Sequence, residues 1–116
     1  MLDGLPVKDS IMAITDADYF DWPVLPETPS SLGISIVGNS AKLTWELHGG
    51  NTTGIVVERQ IVGGGVGKES WTRVAKLPNT ATEYSDSSLK KGDRVAYRVR
   101  AINSDGESAY SNIARN

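Results

Sequence analysis

The fold class this sequence predicts is all-β: a seven-stranded antiparallel β-sandwich behind an N-terminal extended arm. Three observations carry that reading. From residue 32 onward, short apolar stretches alternate with period two. Turn signals separate them roughly every 8–12 residues, the spacing of sandwich strands. A proline-rich stretch, "PVLPETPSS" at 23–31, divides this region from a leading segment of different character.

The strands follow in order. "LGISIVG" places Leu32, Ile34 and Ile36 on one face. "SAKLTWEL" turns Ala41, Leu43 and Trp45 one way and Lys42, Thr44 and Glu46 the other. "GIVVERQIV" sets Ile55 and Val57 against Val56 and Glu58. "SWTRVAKL" and "ATEYSDS" supply two shorter strands. "RVAYRVRAI" alternates most clearly, with Val95, Tyr97, Val99 and Ala101 inward and Arg94, Arg98 and Arg100 outward. "SAYSNIAR" closes the sandwich.

Bulk properties narrow the function classes. A chain of 116 residues with 39% hydrophobic content suits one domain with one core. The absence of cysteine excludes disulfides, thiolate metal sites and cysteine nucleophiles. No apolar run approaches the roughly 18 residues of a membrane span, so membrane insertion is not expected. The first ten residues, "MLDGLPVKDS", lack the apolar stretch of a secretory signal. A net charge of −2 with no basic run argues against nucleic-acid binding.

The charge is uneven. Residues 1–29 hold Asp3, Asp9, Asp16, Asp18, Asp21 and Glu27 against Lys8 alone, whereas residues 30–116 carry an excess of Lys and Arg. The leading segment is also apolar: Leu2, Leu5, Val7, Ile11, Met12, Ile14, Tyr19, Phe20 and Trp22 need a surface. A short helix from Asp9 or Ser10 to about Phe20 fits its capping pattern. The expected organisation is an arm and linker at 1–29 and a sandwich at 30–116.

Residues 30–116 resemble a fibronectin type III, immunoglobulin-like domain of the kind common in bacterial extracellular and phage proteins. The resemblance rests on "KLTWEL" with its core Trp45, on "TTGIVVERQ", and on "YSDSSLKKGDRVAYRVRAINSDGESAYSN". It covers about three quarters of the chain and leaves residues 1–29 unmatched. One position departs from the family. The tyrosine that such domains carry six residues after the leucine of this motif is Val95 here, counted from Leu89. The family's tyrosine-corner hydrogen bond is therefore absent. Tyr97 faces inward but at the wrong register for that bond.

Several motifs suggest chemistry and fail on spacing. "VGGGVGKES" (62–70) invites comparison with a phosphate-binding loop, which needs G-x-x-x-x-G-K-[ST] so that backbone amides wrap phosphate while the hydroxyl holds magnesium. The first glycine is Val62 and the hydroxyl position is Glu69, so a glycine-rich hairpin explains the stretch. Asp16, Asp18 and Asp21 are oxygen ligands at close spacing, but the turn glycine and the twelfth-position glutamate of a calcium loop are missing. His48 is the sole histidine and has neither triad nor zinc partners. Asn51-Thr52-Thr53 is formally a glycosylation sequon. Lys91-Gly92-Asp93 resembles an integrin-recognition tripeptide, yet it fills the turn before the sixth strand.

No catalytic constellation, metal site or cofactor site emerges, and a non-enzymatic structural or interaction protein is expected. The candidate partner-binding residues are Trp71, Arg73, Arg94, Arg98 and Arg100 on the sandwich, with Tyr19, Phe20 and Trp22 in the arm. Tryptophan and arginine are enriched in binding hot spots. The arginine stripe has a second reading, in which it pairs across strands with carboxylates such as Glu58. Trp71 is either a recognition residue or a rim residue packing on the sandwich edge. The expected partner is protein, reached through residues 1–29. Carbohydrate binding is a further class, at Trp71 or the loops 48–53 and 103–107, although those loops hold almost no aromatic platform. Two settings fit: a virion head or tail protein, or a spacer module of a secreted polysaccharide-degrading enzyme or adhesin. Both place the module outside the cell or on a virion surface.

Overall fold

A computed structural model describes residues 24–62 and 70–116 of the chain. The expected helix at 9–20, the aspartates of "DADYFD", the arm residues Tyr19, Phe20 and Trp22, and the glycines of the 62–70 stretch lie outside the described residues.

All regular structure among the described residues is β. The strands are β1 (Ser30–Val37), β2 (Ser40–Glu46), β3 (Gly54–Val62), β4 (Thr72–Pro78), β5 (Glu83–Asp86), β6 (Arg94–Asn103), β7 (Gly106–Glu107) and β8 (Ala114–Arg115). They form two antiparallel sheets. One has the order β1-β2-β5; the other runs β4-β3-β6-β7, with β8 also on β6.

Alternation decides burial in β2, where Ala41, Leu43 and Trp45 are buried and Lys42, Thr44 and Glu46 are exposed. Val95, Tyr97, Val99 and Ala101 of β6 meet them from the other sheet in one core cluster with Ile55, Val57 and Leu89. The indole of Trp45 keeps its N–H satisfied by donating to the Ala81 carbonyl at 2.9 Å. Val95, at the position where the tyrosine corner would stand, is a plain core residue.

The face of β1 is buried unevenly: Leu32 is buried, Ile34 half-buried and Ile36 exposed. A register shift between Ser30 and Gly33 interrupts the β1–β2 ladder, and Ser31 sits there at φ 58°. That conformation is uncommon for a residue with a Cβ. At this break the Asn112 side chain serves the Leu32 backbone instead, accepting from its N–H and donating to its carbonyl, both at 2.9 Å. Between β1 and β2, Gly38 at φ 61° makes the two-residue turn accessible.

The closing strand differs from expectation. Within "SAYSNIAR" only β8 is strand: residues 108–113 are irregular and β7 lies just before them, so the described residues form eight strands rather than seven. Two buried serines replace part of the ladder. The Ser108 N–H donates to the Ala101 carbonyl, while its hydroxyl accepts from the Ala101 N–H at 2.9 Å. Ser111 does the same at Val99, its hydroxyl accepting at 3.0 Å. Replacing Ser111 with alanine leaves the buried Val99 N–H without an acceptor. The expected loss is about 1–3 kcal/mol, read as a lower urea midpoint with an unchanged slope.

Residues 24–29 lie on the sandwich. Pro26 and Pro29 are buried. The Val24 N–H donates to Asp105 Oδ2 at 3.1 Å, and Asn103 Nδ2 donates to the Val24 carbonyl at 2.8 Å. The leading segment is therefore joined to the body beside the β6–β7 turn.

Candidate interaction surface

The outer face of the larger sheet gathers Glu58, Arg73, Arg98 and Arg100. Register explains how. Glu58 on β3 stands directly opposite Arg98 on β6 and opposite Arg73 on β4. Arg100 is two residues from Arg98 and so shares its face. Arg98 Nη2 reaches Glu58 Oε1 at 2.8 Å and its Nε–H donates to the same oxygen at 2.9 Å. Arg100 Nη2 lies 3.8 Å from Glu58 Oε2 and 3.0 Å from Glu107 Oε2.

Two rings complete the arrangement. Tyr110, from the irregular segment after β7, donates its hydroxyl to Glu58 Oε2 at 3.0 Å. Its ring lies between the guanidinium groups, 3.6 Å from Arg98 and 4.4 Å from Arg100. Trp71 covers Arg98 at 4.2 Å. The order Trp71–Arg98–Tyr110–Arg100 is a cation–π ladder, with every step inside the roughly 6 Å range of that interaction. Burial and the Glu58 carboxylate both push the Tyr110 hydroxyl pKa up, against the opposing pull of Arg98 and Arg100.

Placement sorts the candidate residues. Trp71, Arg98 and Arg100 come together. Trp71 is half-buried, with Arg98 stacked against it. Arg73 is exposed, and among the described residues it makes no ion pair, because the carboxylate opposite it is occupied by Arg98, Arg100 and Tyr110. Arg94 is exposed at the far end of β6, opposite Val62, and is not part of the ladder. Glu58 is 8% exposed, so its pairs with arginine are not surface pairs. The other motifs have structural roles. Gly92 at φ 87° makes the turn in which the Lys90 N–H donates to Asp93 Oδ2. His48 bonds the Ser30 hydroxyl.

A second polar cluster joins the two sheets, and sequence reasoning missed it. Asp86, at the end of β5, is 3% exposed. Its carboxylate accepts from Arg59 Nη1 at 2.7 Å, the Tyr97 hydroxyl at 2.7 Å, the Ser88 hydroxyl at 2.6 Å and the Ser88 N–H at 3.1 Å. Burial by itself would raise the carboxyl pKa. The hydrogen bonds from Ser88, Tyr97 and Arg59 outweigh it and hold the group at about 2, below its ordinary 3.8. Tyr97 shifts the other way, raised by its burial and by the adjacent carboxylate. A signal was present in the sequence: an inward tyrosine without its usual corner partner needs another acceptor for its hydroxyl. Beside this cluster, Arg59, Thr72, Arg73, Tyr84 and Ser85–Ser88 line an open cleft of about 590 Å³ between β4 and β5.

The overall fold of the two-sheet sandwich is shared with solved structures. An Fn3-like protein from Clostridium thermocellum is 27% identical, with a TM-score of 0.61 over 75% of this chain and 86% of that one. The chain has the fibronectin type III fold. Domains A168–A170 of titin match at 26% identity and a TM-score of 0.67, over 79% of this chain and 32% of that one. The pectate lyase Pel3 from Pectobacterium carotovorum shares the fold at 18% identity and a TM-score of 0.63, over 77% of this chain and 27% of that one. No family model matches the sequence. The matched region is most of the Clostridium thermocellum chain and about a third or less of the titin and pectate lyase chains.

Proposed function

We propose that the chain is a non-enzymatic fibronectin type III module that residues 1–29 anchor to other protein subunits of a larger assembly, such as a virion head or tail. The observation that carries this reading is the mismatch between the two parts. The sandwich closes its own core. The leading segment, by contrast, carries Tyr19, Phe20 and Trp22 amid Asp16, Asp18 and Asp21, more apolar surface than a solvated tail has reason to hold. The carboxylates of Glu58 and Asp86 are saturated by arginine, tyrosine and serine donors. Such saturation suits a rigid surface better than an acid or base that must exchange protons with a substrate.

Lys8 provides a direct test, being the sole lysine before residue 30. Amine-reactive cross-linking of the native assembly, followed by mass spectrometry, is expected to join Lys8 to a different polypeptide or a different copy. Cross-links from Lys8 confined to its own chain contradict the proposal. The pectate lyase neighbour supports a second reading, a spacer module in a secreted polysaccharide-degrading enzyme. A catalytic domain continuous with this chain in the native protein would favour that reading.

A further inference from the structure

We infer that the cleft between β4 and β5 is the receptor for the acidic part of the leading segment, Asp16–Asp21, supplied by a second copy of the chain. This rests on the anchoring role proposed above and names the surface that receives the anchor.

Four observations converge on the cleft. First, it is bounded by the two strands that end their sheets, since β4 pairs only with β3 and β5 only with β2 among the described residues. Unpaired strand edges offer backbone donors and acceptors to an added chain. Second, its cations have capacity to spare. The hydrogen bonds holding Arg59 to Asp86 and Ser88 all use Nη1. Arg73 has no ion-pair partner among the described residues. Third, hydroxyl groups of Thr72, Ser85, Ser87 and Ser88 line the same space; the one carboxylate in its lining, Asp86, is neutralised by Arg59, which leaves Arg73 as the uncompensated charge, and the volume of about 590 Å³ is within the range of natural ligand sites. Arginines flanked by hydroxyls suit carboxylates, which accept several charge-assisted hydrogen bonds at once. Fourth, the charges are complementary: residues 1–29 hold six acids against one lysine.

Topology favours a second copy over the chain's own cleft. Val24 is fixed to Asn103 and Asp105 at the β6–β7 turn, and β7 and β4 are opposite ends of the larger sheet. Val24, the first described residue, therefore lies at the side of the sheet away from the cleft. Contacts of this kind are head-to-tail and propagate copy to copy.

Charge exchange tests this in the full-length protein, by sedimentation velocity over a range of concentrations. Wild type is expected to self-associate. R73E, and separately the triple variant D16K/D18K/D21K, are expected to weaken association by about tenfold or more. An equimolar mixture of the two variants should restore it, since each supplies the group the other lacks. The triple variant changes no residue of the sandwich sequence, so the test survives if R73E is destabilised beside Glu58. The inference is overturned if R73E associates like wild type, if the mixture fails to recover, or if wild type stays monomeric at several hundred micromolar. Should Lys8 cross-links to other polypeptides persist with R73E, anchoring stands and only the cleft is rejected as its receptor. Loss of association in the triple variant alone points to an acidic-segment receptor elsewhere.

Discussion

Asp86→Ala is expected to remove about 3–5 kcal/mol of unfolding free energy, the usual cost of breaking a buried charged pair by deleting one member. Domains commonly have only about 5–15 kcal/mol in total, so a large share of the stability is at stake. The size follows from what is left behind. Arg59 loses its anion and Tyr97 loses the acceptor for a fully buried hydroxyl, both between the sheets. Tyr97→Phe removes one donor but leaves Asp86 with Arg59 and Ser88, and is expected to cost only about 1–2 kcal/mol. The two substitutions together should cost less than the sum of the two, because they share one bond.

The same carboxylate sets an acid limit. Its folded-state pKa, about 2, lies below the ordinary 3.8. The charged form is therefore favoured by folding. Its contribution is fully present above about pH 4 and is lost as pH falls toward 2, amounting to roughly 2 kcal/mol. Urea midpoints measured between pH 5 and pH 2 should fall for wild type, with a smaller decline in Asp86→Asn. Equal declines would contradict the assignment.

Glu58→Ala is the second large effect, at about 2–4 kcal/mol, below the fully buried case because the surrounding arginines keep some contact with water. An exposed ion pair contributes only about 0–1 kcal/mol, but Glu58 is 8% exposed and is shared by Arg98, Arg100 and Tyr110. Its removal leaves Arg73, Arg98 and Arg100 close together on one face with no carboxylate at their centre. Salt should recover part of the loss by screening that repulsion. Glu58→Gln keeps hydrogen-bond acceptors and should fall between alanine and wild type. Thermal unfolding at low and high salt measures both. A Glu58→Ala change below 0.5 kcal/mol, indifferent to salt, would mean the ladder holds by stacking alone.

The strands that obey a period were legible in the sequence. In β2 and β6 one face is apolar and one polar, so alternation alone places Trp45 and Tyr97 inward. β3 gave less, because Ile55, Val56 and Val57 are all buried and a strand covered on both faces does not alternate. The end of the chain was misread because the hydroxyls of Ser108 and Ser111 take over ladder positions, which no hydrophobic pattern reports. The Arg98–Glu58 pair was foreseeable from two outward positions on adjacent strands. The rings that enclose it were not, since Trp71 and Tyr110 reach the sheet from irregular segments. Asp86, Arg59 and Tyr97 meet across the two sheets, 27 and 11 residues apart, and periodicity carries no information about such a meeting.

Anchoring by the leading segment is tested most directly by co-sedimentation with the native assembly. Full-length chain and a variant beginning at Val24, which retains the buried Pro26 and Pro29, are each added to assembly stripped of this protein. Full-length chain should pellet with the particles, while the shortened chain stays in the supernatant with its thermal unfolding unchanged. Equal pelleting of both would contradict anchoring by residues 1–23 and place the attachment on the sandwich itself.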